Sequence, residues 1–332
     1  MPRSAGRPEV AVWTRPAESG QSLCVTVRQF LEVVEIRTKV ISVSTYVLAT
    51  LYTLAAGHDV SWLHAALLGV AVLCVDMGTT AFNTFYDYVR GVDSPVLTVE
   101  PGKVLVHEGV APAHAFLVSV GLYVFGAAAG IAVAAISTWW IVPAGILSMA
   151  VGFLYNGGPL PISRTPLGEL FAGGFLGTVL FLVVVAVHTG EVTVGGVVAS
   201  VPSTLVIALV LTVNNTCDLE GDRAAGRRTL SIVLGKPAAV VVMDVLCAAA
   251  YLLLFSMTLG RYAGLIPPDS LVPALPPVGA TFVGAGAVAT TILFVGMHRR
   301  GFSHATKHPN MVAIIRVVAV FTIAYAGALA VS

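Results

Sequence analysis

Asn83, Asp87 and Asp93 stand at the end of a long apolar run, in the stretch NTFYDYVRGVDS. Asn83 and Asp87 are four residues apart and so share one face of a helix. Asp76, seven before Asn83, falls two turns away on the same face. Asp93, six past Asp87, lies off that face. Gly91 between them predicts that the helix ends there and that Asp93 returns on the loop. A second group has the same form. In NNTCDLEGDRAAGRRTL, the residues Asn214, Asp218 and Asp222 sit at i, i+4 and i+8 and form one stripe. Both groups read N-x-x-x-D, they lie 131 positions apart, and basic residues follow each.

Carboxylates that face each other repel unless cations sit between them. Hard oxygen donors on two sides suit Mg²⁺, which keeps several waters and is held by one or two carboxylates plus substrate phosphates. Neighbouring Arg and Lys side chains would grip phosphate oxygens that the metal leaves free. The pair of groups therefore reads as a diphosphate site. Metal and basic side chains there would stabilise a departing diphosphate and leave an allylic cation. One N-x-x-x-D alone is as well explained by a solvated helix end; two, each flanked by basic residues, are not.

The elements that would position these groups are membrane helices. Hydrophobic residues make up 57% of the 332-residue chain and charged ones only 11%, with a mean hydropathy of +0.89. A soluble domain carries about a quarter charged residues. A formal net charge of +1 gives no sign of a nucleic-acid partner. Nine apolar spans are expected, at about 39–56, 62–88, 113–135, 138–155, 166–188, 194–217, 237–259, 276–297 and 310–331. The loops after even-numbered spans hold Arg90, Lys103, Arg164, Arg223, Arg227, Arg228, Lys236, Arg299, Arg300 and Lys307; those after odd-numbered spans hold only Arg261. This asymmetry places the N-terminus and both acidic groups in the cytoplasm and the C-terminus outside, in a multi-pass protein of the plasma membrane. Residues 1–37 read as a cytoplasmic tail turning into an interfacial helix, VTVRQFLEVVEIRTK. Its Phe30, Val33, Val34 and Ile36 are expected to face lipid, and Arg28, Glu32 and Glu35 to face water. Residues 38–332 form the transmembrane domain.

Charges within spans are costly and are usually paired or functional. Asp76, Glu169, Asp244 and Arg316 are such charges, and a buried Asp244–Arg316 pair is one expectation. Cys24, Cys74, Cys217 and Cys247 lack metal or disulfide spacing and read as small buried thiols. His107 is expected in solvent, although it could act as a base. His298, His304 and His308 are expected to be solvated at the interface. Trp62, Trp139 and Trp140 fall at outer span ends, as interfacial anchors do.

These residues resemble the UbiA superfamily of intramembrane prenyltransferases, over nearly the whole chain from RTKVIS near residue 37 onward. Within it, the chain is most similar to the menaquinone-pathway branch, the 1,4-dihydroxy-2-naphthoate prenyltransferases. The supporting stretches are EIRTKVIS, DMGTTAFNTFYDYVRGVD, FLYNGGPLPISRTPLGEL and NNTCDLEGDRAAGRRTLSIVLGK. The resemblance implies an all-α integral membrane fold, a nine-helix bundle with a central apolar cavity. It implies Mg²⁺, two ions, held by Asn83, Asp87, Asp93, Asp218 and Asp222, the four aspartates being catalytic. It implies diphosphate contacts from Asn83, Asn214, Asn215, Lys103, Arg164, Arg227, Arg228 and Tyr155. A polyprenyl group would pass from its diphosphate to an aromatic acceptor, dihydroxynaphthoate in that branch. Glu169, in the family pattern G-E-L, is expected to be structural as much as catalytic.

Two departures stand out. Many members of that branch carry an acid directly after the motif asparagine, where this chain has Thr84. The R-T-x-x-R-P pattern of the haem-farnesylating branch is missing after the first motif. The alternative reading is a terpene cyclase of the same superfamily, which ionises the diphosphate but uses no acceptor. A third, a lipid carrier without chemistry, predicts no Mg²⁺-dependent diphosphate release.

Overall fold

The computed structural model describes residues 25–93, 98, 102–260, 263–264 and 274–331. The tail before residue 25, with Cys24, and Arg261 lie outside the described residues. No β-strand occurs among those described.

A short helix α1, Val27–Val33, is the first described helix; Thr26 and Gln29 cap it reciprocally through side chain and backbone. The long helices follow as α2 (Val40–Ala55), α3 (Trp62–Val89), α4 (Pro112–Ile136) and α5 (Ile141–Asn156). After them come α6 (Gly168–Thr189), α7 (Val194–Cys217), α8 (Lys236–Gly260), α9 (Gly279–Arg300) and α10 (His304–Ala330). Seven of these, α3, α4 and α6 to α10, are long and apolar enough to cross a membrane. The chain is a multi-pass membrane protein. Helices α2 and α5 fall at two more expected spans but have 16 residues each, fewer than the roughly 20 of an untilted crossing.

Helix α3 packs along α4 and α5, and α9 along α10. Helix α7 is the most enclosed, touching α2, α6, α8 and α10. Between them lies a core that includes Phe181, Leu209, Met243, Met297, Ile314 and Phe321. Tyr325, fully buried, donates from its hydroxyl to the carbonyl of Ala199 at 2.9 Å and so ties α10 to α7. Helix α6 contains a π-helical stretch at Gly174–Val179, where Gly177 lies against the backbone of Thr204 in α7. The absent side chain permits that approach.

Two expectations are corrected here. Asp244 and Arg316 do not pair: Asp244 accepts His298 Nε2 at 3.2 Å, and Arg316 is exposed on another helix face. Helix periodicity shows that each lies off the core, but not which neighbour each meets. The apolar side of α1 does not face lipid throughout either. Val33 and Val34 are buried in a small cluster with Ala81, Val104 and Leu105. Asp76 finds its partner in Lys39 at 2.9 Å and in the Ser42 hydroxyl at 2.6 Å. Trp62, Trp139 and Trp140 are exposed, as anchors are, and so is His107. Cys74 and Cys217 are buried, and they and Cys247 are free thiols.

Candidate functional site

Both acidic groups end in the same local structure. Helix α3 closes at Gly91, whose φ of 69° is left-handed. The amides of Val92 and Asp93 then turn back to the carbonyl of Asp87, at 2.9 and 3.0 Å. In the second group a short helix, Leu219–Ala224, continues from α7. It closes at Gly226, φ 72°, and the amide of Arg227 returns to the carbonyl of Asp222 at 2.9 Å. The pattern D-x-x-x-G is common to both, DYVRG and DRAAG. Glycine takes the left-handed position without a Cβ clash. One turn delivers Asp93 to the site; the other delivers Arg227.

Arg227 joins the groups. Its Nη2 donates to Asp87 at 3.0 Å and its Nη1 to Asp222 at 3.1 Å. Asp93 pairs with Lys103 at 3.1 Å, and Lys103 also reaches Glu35 at 3.1 Å. Asp218 pairs with Lys307 at 2.6 Å and lies 3.5 Å from His304 Nδ1. Each motif aspartate thus has a cation beside it. Tyr155 adjoins this network, with Glu169, Arg227, Asp87 and Asp222 as its electrostatic neighbours.

The charges are tuned by burial and by one another. Burial pushes the Asp222 carboxyl up despite the pull of Arg227. Burial works against the Lys103 ammonium, but Glu35 and Asp93 hold its proton more tightly than usual. Desolvation likewise opposes the charge of Glu35, yet Lys103 keeps its carboxyl below the ordinary range.

Not every expected residue turns toward this network. Asn215 is buried and donates to Glu169 Oε1 at 2.8 Å, fastening α7 to the start of α6. Arg228 is exposed, and its backbone amide bonds the carbonyl of Arg164. Arg164 braces the second motif by donating from Nη2 to the carbonyl of Ala225 at 2.5 Å. Asn83 and Asn214 stand half-buried one turn before Asp87 and Asp218. Thr84 is buried, and its hydroxyl donates to the carbonyl of Val33 in α1 at 3.1 Å. The position directly after the motif asparagine therefore faces the interfacial helix, not the Asp87 carboxylate.

Three neighbours were not foreseen. His304 and Lys307 come from the first turns of α10, where histidines were expected to be solvated; the signal was the lysine in HATKHPN. Glu35 arrives through a left-handed backbone turn, φ 47°, rare for a residue with a side chain. Nothing in the sequence marks that turn.

Among the described residues, no three Asp, Glu, His or Cys side chains gather closely enough to hold a metal by themselves. What the site offers is spare capacity. Among the described residues, Asn83 Oδ1 and Asp222 Oδ2 are buried acceptors without a hydrogen-bond partner, and Arg227 Nε is a buried donor without one. Unpaired acceptors of this hard type suit a divalent cation, and the unpaired guanidinium nitrogen suits an anionic oxygen.

The family model described as the UbiA prenyltransferase family matches residues 42–302. A 1,4-dihydroxy-2-naphthoate octaprenyltransferase of Bacillus subtilis (strain 168) is 34% identical over 180 residues, which is 54% of this chain and 58% of that protein. The chain thus spans a little over half the length of that relative. A protein of the same name from Mycobacterium tuberculosis is 28% identical over 228 residues, 66% of this chain and 77% of its own. A UbiA homolog from Archaeoglobus fulgidus, solved with GPP and Mg²⁺ bound, superposes with a TM-score of 0.61 at 17% identity, covering 91% of this chain and 99% of that one. The chain belongs to the UbiA prenyltransferase family.

Proposed function

We propose that the protein transfers a polyprenyl group from its diphosphate to an aromatic acceptor, and that this acceptor is 1,4-dihydroxy-2-naphthoate. The observation that carries the transfer chemistry is the bridge of Arg227 between Asp87 and Asp222, which makes one site of two distant acidic groups. The acceptor rests on the names of the Bacillus and Mycobacterium relatives. The metal rests on the unpaired acceptors of the site and on the Mg²⁺ bound by the Archaeoglobus homolog.

Asp87, Asp93, Asp218 and Asp222, with Asn83 in support, are the residues that would hold Mg²⁺, and we assign two ions. Bound there, Mg²⁺ supplies positive charge that stabilises the departing diphosphate. Lys103 and Arg227 then act on the same leaving group. Both are already in place and both keep their protons, so their charge costs little reorganisation as the carbon–oxygen bond breaks. The diphosphate leaves with the bonding electron pair. The electron-rich ring of the acceptor bonds to the allylic carbon and loses CO₂. Tyr155 has Asp87 and Arg227 among its electrostatic neighbours. Apolar helices around it would take the isoprenoid tail. The Arg and Lys asymmetry of the loops supports an N-terminus in the cytoplasm and a C-terminus outside, in the plasma membrane.

The test uses membranes that contain the full chain, a polyprenyl diphosphate and dihydroxynaphthoate. Prenylated product should form with Mg²⁺ and vanish with chelator. Asp87→Asn should lower the rate by about 100-fold or more. No product with a panel of quinone precursors would sink the acceptor assignment. A cyclic hydrocarbon from geranylgeranyl diphosphate without acceptor would replace transfer by cyclisation.

A further inference from the structure

Helices α9 and α10 enclose a second, separate groove of about 420 Å³. We propose that it binds the phosphate headgroup of an anionic phospholipid, in the leaflet on the side of the acidic site. Two stripes face each other across it: Ile292, Gly296 and Arg300 on α9, and His308, Val312 and Arg316 on α10. Each stripe is spaced by four residues, the repeat that keeps side chains on one helix face. Three of its lining residues can carry positive charge, and no acid lines it.

Arg316 is the residue that demands an explanation. It lies nine positions past Lys307, about 13 Å along the helix axis. A bare cation within a membrane helix is costly and is normally paired. The one acid expected to pair with it, Asp244, is taken by His298. Arg316 makes no ion pair and no hydrogen bond with any described residue.

Helix direction brings the two arginines together. Side chains lean toward the N-terminus of their own helix. Helix α9 runs toward the end that carries the acidic site and α10 runs away from it. Arg300 therefore leans back into the bilayer, and Arg316 leans out toward the surface. The lean of Arg300 is visible: its Nη1 lies 3.5 Å from where a Cβ on Gly296 would stand. Its Nε is engaged by Asn310 Oδ1 at 3.2 Å, and Asn310 is in turn fixed on the carbonyl of Gly301 at 2.9 Å. The terminal nitrogens of both guanidiniums are left for an anion, and guanidinium forks match phosphate oxygens. The apolar side chains of Ile292 and Val312, which line the same groove, suit an acyl chain. Guanidinium groups beside hydrocarbon, on a surface facing lipid, define a phospholipid as the occupant.

Purified full-length protein should be incubated with mixed phosphatidylcholine and phosphatidylglycerol, and the retained lipid measured by native mass spectrometry. Wild type is expected to enrich phosphatidylglycerol roughly tenfold over the bulk ratio, and the double variant Arg300→Gln, Arg316→Gln to fall to roughly the bulk ratio. Gly296→Leu, which fills the groove and keeps both charges, should lower the enrichment as well and serves if the double variant fails to fold. No enrichment by wild type, or undiminished enrichment by a folded variant, overturns the proposal. So does release of the lipid by geranyl diphosphate, which would make the groove a second diphosphate site.

Discussion

The guanidinium of Arg227 lies 3.0 Å from the carboxylate of Asp87, although 140 positions separate them. The same group holds Asp222. Removing it leaves two carboxylates facing each other in a poorly hydrated space. Arg227→Gln should therefore lose stability of about 3 kcal/mol, the scale of a broken buried pair. Its Mg²⁺-dependent diphosphate release should drop about 100-fold. Mg²⁺ should raise the melting temperature of the variant more than that of wild type, since the ion then replaces the missing charge. A variant with wild-type release rates would remove Arg227 from the site.

Lys39 and Asp76 form a pair deep between α2 and α3, with side chains 5% and 12% exposed. Lys39→Met strands the carboxylate, and the expected cost is about 3–5 kcal/mol. Replacing both, Lys39→Met with Asp76→Leu, should recover most of that loss. Unfolding of the two variants in the same detergent checks it; a double variant no more stable than Lys39→Met would mean that the stranded carboxylate is not the cause of the loss.

Glu35 sets an acid-side limit. Desolvation opposes its charge, but Lys103 wins, and the carboxyl stays below its ordinary value of 4.5. A carboxyl with a lowered folded pKa adds stability above the ordinary pKa, and that stability is lost as pH falls through the folded value. Wild type should thus be more stable than Glu35→Gln at about pH 7, and the gap should narrow as pH falls below 4.5. Melting temperatures across that range decide the matter. A gap that widens toward acid would contradict the pairing with Lys103.

Gly177 meets the backbone of Thr204, whose Cα would lie 2.5 Å and whose nitrogen 2.7 Å from a new Cβ. Backbone cannot step aside cheaply. Gly177→Ala should destabilise by about 1–3 kcal/mol. Gly121→Ala, in α4 with open space around it, should leave the melting temperature unchanged or slightly raised. Similar losses from both would mean helix packing is not the cause.

Much of this was legible in order along the chain. Asn83, Asp87, Asn214, Asp218 and Asp222 announced themselves because a helix repeats every 3.6 residues, so spacing by four names a face. The span positions followed from the length of apolar runs. Gly91 signalled the return of Asp93, and the left-handed turn there is the reason it works. The same periodicity could not tell which face of α7 would carry Asn215 to Glu169, nor that Thr84 would point at Val33.

The sequence by itself determined the membrane character, the two acidic groups and their wealth of neighbouring basic residues. Those are local properties, written in composition and spacing. Only the tertiary structure decided that Arg227 bridges the groups, that Lys307 and Glu35 join them, and that Asp244 meets His298 and leaves Arg316 without a partner among the described residues. Such pairings depend on how each helix is rotated and packed against its neighbours. That is fixed by many side chains at once, and no short stretch of the chain encodes it.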